Sequence, residues 1–255
     1  MIVLLSPAKT LDFETACPTD KYSQLEFPKE AKKLNVLLKK LKVGDIQKLM
    51  SVSEDIAQLN HARFKNFQSE YTLENSKQAV FAFKGDVYLG MEPQSFSEKD
   101  LDYAQGKMRI LSGLYGILRP LDLIQPYRLE MGTKLANKEG TNLYHFWGDK
   151  ITKKINAELK SQNDDVILNL ASNEYFKSVK SKSLQGSLVT AEFKDSKNGE
   201  YKMIGFFAKK ARGAMAAYVV KNRIEKIDDL KGFDWDGYIY NENMSEENNL
   251  VFTRG

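Results

Sequence analysis

The segment with the clearest chemical potential contains two glycines that bracket an apolar pair. Gly113 and Gly116 enclose Leu114 and Tyr115, directly after a stretch that we predict to be a helix ending at Leu111. Glycine adopts positive φ in a tight turn, and the absence of a Cβ lets a phosphate oxygen approach backbone N–H groups. We therefore expect a helix-hairpin-helix-like element over residues 97–125, in which the turn and the start of a second helix bind an anion.

A second interpretation of this segment stays open. A helix-hairpin-helix usually has a single residue between its glycines, whereas this chain has Leu114 and Tyr115 there. Pro120 fits a second helix only in its first turn, and Pro126 would stop that helix soon afterwards. Alternatively, the glycines simply end the first helix at a corner.

Basic residues surround the turn and recur in loops elsewhere. They are Arg109, Arg119 and Arg128 near the turn, Lys9 and Lys84 after predicted strands, and Lys209, Lys210 and Arg212 between a predicted strand and a predicted helix. Arginines beside the turn would supply charge to a DNA backbone. A strand-to-helix junction also suits phosphate binding, because the free N–H groups of a helix start attract anions. For each loop cluster, a basic loop solvated by water is the alternative.

Carboxylates and amides near these cations allow a different function, general acid–base chemistry on an anionic substrate. The polar group comprises Lys9, Lys84, Asp86, Glu130, Asn169, Ser172, Glu174, Lys209 and Arg212, in or beside loops at predicted strand ends. Such a cleft would suit an enzyme that acts on a nucleotide or a damaged nucleobase. The sequence assigns no residue a catalytic role, and buried pairs that hold the fold are the alternative.

Composition and charge exclude several classes of protein. The 255 residues carry a formal net charge of +4, which permits an anionic partner without demanding one. No apolar run is long enough to span a membrane, and Ile2–Leu5 lacks the basic flank of a signal peptide. Cys17 is the single cysteine and His61 and His145 are far apart, so we expect no disulfide, no metal site, no cofactor and a cytoplasmic location. Cys17 could sense oxidant as a lone thiol, although a residue without a role is the simpler interpretation.

Apolar patterning predicts a mixture of strands and helices. The predicted strands are Ile2–Leu5, Ala79–Phe83, Asp165–Leu170, Ser187–Phe193, Glu200–Phe207, Gly237–Tyr240 and Leu250–Thr253, and the predicted helices include Lys29–Lys42, Ser97–Leu111 and Ala211–Asn222. Asn198-Gly199 is typical of a hairpin turn. The order is less regular than in a doubly wound fold, which favours an α+β or mixed α/β fold with a mixed sheet. We expect a single compact domain over residues 1–255, with a helical subregion at 28–125.

The chain resembles the bacterial YaaA-type peroxide stress proteins nearly from end to end. The matching motifs are SPAKTL at Ser6–Leu11, AFKGDVY at Ala82–Tyr88, RILSGLYGILRPLDLIQPYRLEMG at Arg109–Gly132, FWGD at Phe146–Asp149, NLAS at Asn169–Ser172, EYFKSVK at Glu174–Lys180, FAKKARG at Phe207–Gly213 and LVF at Leu250–Phe252. The block from Arg109 to Gly132 is the most specific of them.

The resemblance implies a cytosolic protein of the hydrogen peroxide response, associated with limiting free iron and the oxidative DNA damage that iron causes. It also implies a compact α/β fold whose positively charged cleft, with a helix-hairpin-helix-like element, binds double-stranded DNA. The family hairpin maps onto Leu111–Gly116, and its cleft onto Lys9, Lys84, Arg109, Arg119, Arg128, Lys209, Lys210 and Arg212. We therefore expect duplex binding through backbone contacts, with the nucleotide or nucleobase enzyme as the alternative.

Overall fold

A computed structural model describes all 255 residues. The strands are β1 Ile2–Leu5, β2 Thr10–Leu11, β3 Lys77–Gln78, β4 Phe83–Lys84, β5 Met108–Ser112, β6 Gly116–Leu118, β7 Leu123–Ile124, β8 Val166–Asn169, β9 Ser187–Lys197, β10 Glu200–Lys202, β11 Ile239–Tyr240 and β12 Asn249–Arg254. The α-helices are α1 Pro28–Leu38, α2 Val43–Met50, α3 Glu54–Asn66, α4 Ala79–Ala82, α5 Asp86–Met91, α6 Glu98–Lys107, α7 Leu143–Trp147, α8 Lys150–Gln162, α9 Asn173–Phe176 and α10 Gly205–Asn222. None of the helices combines the length and apolar character that crossing a bilayer requires.

An eight-stranded mixed sheet forms the centre of the molecule. Its order is β11-β12-β9-β8-β1-β5-β6, with β10 paired to β9. The five strands from β12 to β5 in this order run parallel, whereas β6, β10 and β11 pair antiparallel with their neighbours. All four residues of β1 are buried, as expected for a parallel strand that is covered on both faces. The sheet confirms the predicted mixed α/β fold class.

The order of the strands reverses direction at the centre of this sheet. From β1 the chain next enters the sheet at β5 on one side, and from β8 it continues to β9 on the other side. The loops that follow β1 and β8 therefore leave their adjacent strands in opposite directions. In open α/β sheets, ligand sites form in the crevice outside the carboxyl ends of such a strand pair.

Two glycines allow α5 and α10 to pack in close contact. A Cβ on Gly213 of α10 would overlap the carbonyl oxygen of Val87, and a Cβ on Gly90 of α5 would overlap that of Lys210. At the start of α5, a Cβ on Gly85 would lie 3.1 Å from the Cβ of Ala8. These contacts bring α10, α5 and the loop after β1 together.

The predicted helix-hairpin-helix-like element at 97–125 is wrong. Helix α6 ends at Lys107, and the following residues form β5, which pairs in parallel with β1 through Val3 and Met108. Strand β6 then turns back on β5, with Leu111 opposite Ile117. The Gly113–Gly116 turn therefore joins two strands, because pairing with the buried central strand overrides the local helical spacing.

Two further element predictions need correction. The predicted strand at residues 79–83 is the buried helix α4, flanked by the two-residue strands β3 and β4. The predicted strand at residues 200–207 ends at Lys202, and α10 begins at Gly205. Lys209 and Lys210 consequently lie within α10 instead of in a loop before it. Between β9 and β10, Asn198 and Gly199 have φ values of 57° and 80°, which confirms the predicted hairpin turn.

Candidate functional site

A cleft opens at the carboxyl ends of β1 and β8, where the strand order reverses. Its volume is about 680 Å³, and its walls are formed by residues 6–10, 84–88 and 172–175 together with Leu170, Lys209 and Arg212. We call it the β1–β8 cleft. The loops after the two strands meet at its floor, where the Ser172 N–H donates to Ser6 Oγ over 2.9 Å and the two hydroxyl oxygens lie 3.3 Å apart.

Buried tyrosines hold the walls of the β1–β8 cleft in place. The Tyr88 hydroxyl donates to the carbonyl oxygen of Ser6 over 3.1 Å, which ties α5 to the loop after β1. Burial raises the pKa of Tyr88 and of Tyr175 well above the usual range. Both phenols are therefore neutral at physiological pH, and their rings add to the apolar part of the cleft wall.

Four cations and two carboxylates line the cleft. The cations are Lys9, Lys84, Lys209 and Arg212, and the carboxylates are Asp86 and Glu174. The three lysines each have an acidic neighbour: Lys9 Nζ lies 2.7 Å from Glu130 Oε2, Lys84 Nζ 3.4 Å from Asp12 Oδ2, and Lys209 Nζ 3.8 Å from Asp86 Oδ2. All three lysine side chains are about 60% exposed. These ion pairs therefore contribute little stability, and an anionic ligand can replace the carboxylate of each pair.

Arg212 differs from the other three cations because no carboxylate lies within 4 Å of its guanidinium and none of its side-chain atoms forms a hydrogen bond. It lies on α10, one residue before the Gly213 contact with α5. Burial lowers the pKa of Arg212, while Glu192 acts in the opposite direction. An arginine keeps its charge even so, since its usual pKa is above 12. A partly buried cation without a partner is the feature that a bound anion would satisfy.

The carboxylates of this region are held by specific donors. Glu174 Oε1 accepts from the Gly132 N–H over 2.9 Å. The backbone carbonyl oxygen of Glu174 accepts from the Tyr144 hydroxyl over 2.9 Å. Glu130 bridges Lys9 and Arg128, whose Nη2 lies 3.1 Å from Glu130 Oε1. Arg128 is thereby connected to the cleft through Glu130.

Two predicted cleft arginines lie elsewhere, in ion pairs that hold the fold. Arg109 is buried, and its Nε donates to Glu158 Oε2 over 2.6 Å. Arg119 pairs with Asp122 over 2.9 Å and also donates to the carbonyl oxygen of Gln24. Each guanidinium is satisfied by protein groups, and neither lines the β1–β8 cleft. Their assignment to the cleft needs correction, because charge near a motif does not reveal which acid will pair with it.

Lys210 also lies outside the cleft lining, although Lys209 and Arg212 on the same helix are part of it. Its Nζ lies 4.5 Å from the centre of the Phe206 ring. This cation–π contact places the charge beside an exposed aromatic side chain on the same helix.

The Gly113–Gly116 turn is packed inside the molecule. Leu114 and Tyr115 are buried. The Trp147 indole N–H donates to the Gly113 carbonyl over 3.0 Å. Gly116 has a φ of 74°, and a Cβ there would lie 2.6 Å from the Trp147 ring. The glycines thus serve close packing and a left-handed turn, and this buried turn is not accessible to a phosphate.

Sequence reasoning missed Ser6, Asp12 and Tyr88 as parts of the site. Ser6 follows directly after a buried strand and precedes a proline, and this position at a strand end was the available signal. No local signal marks Asp12 as the partner of Lys84 or Tyr88 as the partner of Ser6, because both contacts join separate parts of the chain. No group of three or more His, Cys, Asp or Glu side chains is placed to hold a metal ion.

Comparison with known proteins gives one consistent family. A family model described as peroxide stress protein YaaA matches residues 1–244. A UPF0246 protein of Aliivibrio fischeri strain MJ11 is 53% identical over 254 residues, which cover 100% of this chain and 98% of the relative. A UPF0246 protein of Aliivibrio fischeri strain ES114 matches with the same identity and coverage. The chain therefore belongs to the YaaA family of peroxide stress proteins.

Proposed function

We propose that this protein binds double-stranded DNA in the cytoplasm during peroxide stress and protects it from iron-dependent oxidative damage. The cations of the β1–β8 cleft would hold backbone phosphates. One observation carries the proposal: cations from separate chain segments converge on one cleft, and Arg212 among them has no protein partner.

The arrangement favours contacts with the backbone over readout of base sequence. Phosphate contacts position a protein on the duplex without carrying sequence information. The lysines of the cleft are exposed and weakly paired, so a phosphate can replace each carboxylate at little cost. Together with a modest net charge of +4, this indicates a local binding surface and not a uniformly basic molecule.

Fluorescence anisotropy with a labelled duplex tests the proposal. We expect the wild-type protein to bind, and Arg212→Gln to weaken binding about tenfold or more, since a charge-assisted phosphate contact contributes roughly 1.5–3 kcal/mol. Lys160→Gln is the matched control, because Lys160 is an exposed residue of α8 outside the cleft. Equal affinities for wild type and Arg212→Gln would contradict the proposal.

A second candidate function is supported by the position of the cleft. It lies at a reversal of strand order, where α/β enzymes commonly bind substrates, and the carboxylates of Asp86 and Glu174 line it together with the cations. An enzyme acting on a nucleotide or a damaged nucleobase would use such groups for proton transfer. Mass spectrometry of oxidised duplexes after incubation tests this candidate: a product formed by wild type and lost in Asp86→Asn would support it, and unchanged duplexes would contradict it.

A further inference from the structure

We propose that the β1–β8 cleft receives a single nucleotide that has left the stack of the bound duplex, while Phe206 fills the gap it leaves. This inference rests on the proposed duplex binding and specifies which part of the DNA enters the cleft. It is carried by the size of the cleft, the chemistry of its walls and the exposure of one phenylalanine on α10, the helix that also carries Lys209 and Arg212.

The cleft is large enough for a single nucleotide but too small for a duplex. Its volume of about 680 Å³ falls within the range of roughly 300–1,000 Å³ typical of small-molecule pockets. A double helix can lie across such an opening but cannot enter it, whereas a single nucleotide is small enough to enter. Phosphates that stay on the duplex would then meet the exposed lysines around the opening, Lys9, Lys84 and Lys209.

The walls offer partners for each part of a nucleotide. The unpaired guanidinium of Arg212 suits the phosphate. The half-buried Pro7 and Ala8, with the small exposed parts of Tyr88 and Tyr175, provide apolar surface for a base. Glu174 uses one carboxylate oxygen to accept from Gly132, which leaves the other to accept from an amino or imino group of the base.

Phe206 is exposed where an apolar side chain would ordinarily be covered. It is 49% exposed and lies on α10 three residues before Lys209, so both side chains are on neighbouring positions of one helix face. The Lys210 ammonium covers one side of its ring. The adjacent Phe207 differs, because the Arg254 guanidinium stacks on it at 4.4 Å. Apolar side chains beside cationic surfaces insert between base steps in several DNA-binding proteins.

A duplex that carries 2-aminopurine tests the inference, because this base gains fluorescence when it leaves the stack. At saturating protein, we expect wild type to raise the fluorescence severalfold. Phe206→Ala should lose most of this rise while it still binds the duplex, and Phe206→Leu should restore part of it, since leucine also inserts between bases. Ile239→Ala, a change at an exposed apolar residue of the edge strand β11 and outside the cleft, should behave as wild type.

Anisotropy of the same duplexes separates the possible failures. Saturable binding with unchanged 2-aminopurine fluorescence would overturn the extruded nucleotide and leave duplex binding intact. An equal fluorescence rise with wild type and Phe206→Ala would overturn the role of Phe206. Absence of any binding by wild type would overturn the proposed function and this inference with it.

Discussion

Pairing with carboxylates determines which cations of this protein are available to a ligand. Arg109 and Glu158 are both buried and form a close ion pair, and removing one partner of such a pair leaves an uncompensated charge that costs about 3–5 kcal/mol. Lys9 and Lys209 form exposed pairs that contribute about 0–1 kcal/mol. Arg212 has no pair. Residues of one chemical type therefore serve stability in one place and binding in another.

Asp12 provides a prediction about pH. The Thr15 backbone N–H and hydroxyl each donate to it over 2.9 Å, and with Lys84 they hold the pKa of Asp12 below its usual range. The unfolded state therefore takes up a proton before the folded state as pH falls. We expect Asp12→Asn to lower the free energy of unfolding by about 1–2 kcal/mol at pH 7, and the difference from wild type to shrink below about pH 4.

Urea unfolding at pH 7 and at pH 3.5 measures this change. Glu14→Gln is the control, because Glu14 is an exposed neighbour whose side chain has no ion pair. A deficit of Asp12→Asn that stays constant between the two pH values would show that the charge of Asp12 contributes nothing to stability.

Cys17 is poorly suited to sensing oxidant. Burial raises the pKa of its thiol above the ordinary value, although the nearby Lys77 acts in the opposite direction. Peroxide reacts with the thiolate, so a raised pKa slows oxidation. We expect cells that carry Cys17→Ser to survive hydrogen peroxide as well as wild type, and the folded protein to react with iodoacetamide more slowly than free cysteine at pH 7. Peroxide sensitivity equal to that of a deletion strain would show the opposite.

The contact between α5 and α10 connects stability to the site. A Cβ on Gly213 would overlap the carbonyl oxygen of Val87, so Gly213→Ala must push the two helices apart. Because overpacking typically costs about 1–3 kcal/mol, we expect that loss in urea unfolding. Duplex affinity should fall as well, since α5 carries Asp86 and α10 carries Arg212.

Gly205→Ala is a matched control for this change. It lies at the first position of the same helix, and a Cβ there would contact nothing within 4 Å. Because alanine favours a helix more than glycine does, we expect this variant to be as stable as wild type or slightly more stable. Equal stability of Gly213→Ala and Gly205→Ala would show that α5 and α10 can accommodate a Cβ between them without cost.

Elements with a clear local pattern were predictable, and elements defined by distant partners were not. The continuous apolar runs of β1 and β8 indicate strands, and the Ala-rich stretch 211–222 indicates the later turns of α10, whereas its first residues, 205–207, fall in the predicted strand. Strand β5 was missed because Leu101, Ala104, Met108 and Leu111 have helical spacing that continues past the end of α6. Its parallel partner β1 lies about a hundred residues away along the chain, where no local pattern can reveal it. Helix α4 is a short apolar run, for which periodicity cannot distinguish helix from strand.

The site could be predicted only in part for a similar reason. Lys9, Lys84, Lys209 and Arg212 meet in one cleft. Lys9 follows strand β1 as predicted, whereas Lys209 lies within α10 and not between a strand and a helix. Arg109 does not join them, because it forms a buried ion pair with Glu158 on α8. Which arginine is free depends on the position of every acid in the fold, and that information is not contained in any single segment.

On the scale of the whole molecule, a net charge of +4 gives weak general attraction for a polyanion. Specific release of counterions from DNA requires cations that lie close enough together to contact neighbouring phosphates. The fold achieves this by reversing the strand order at β1 and β8 and packing α10 against α5. Binding strength should therefore follow the cleft cations more closely than the total charge.

Salt dependence tests this relation between the cleft and the whole surface. If four cations each contact one phosphate, the logarithm of the duplex association constant should fall with the logarithm of salt concentration with a slope of about −3.6. Arg212→Gln should reduce the magnitude of this slope by about 0.9, because one contact is lost. Lys160→Gln changes the net charge equally but lies outside the cleft, so its slope should match wild type. Equal reductions in both variants would mean that DNA responds to overall charge and not to this cleft.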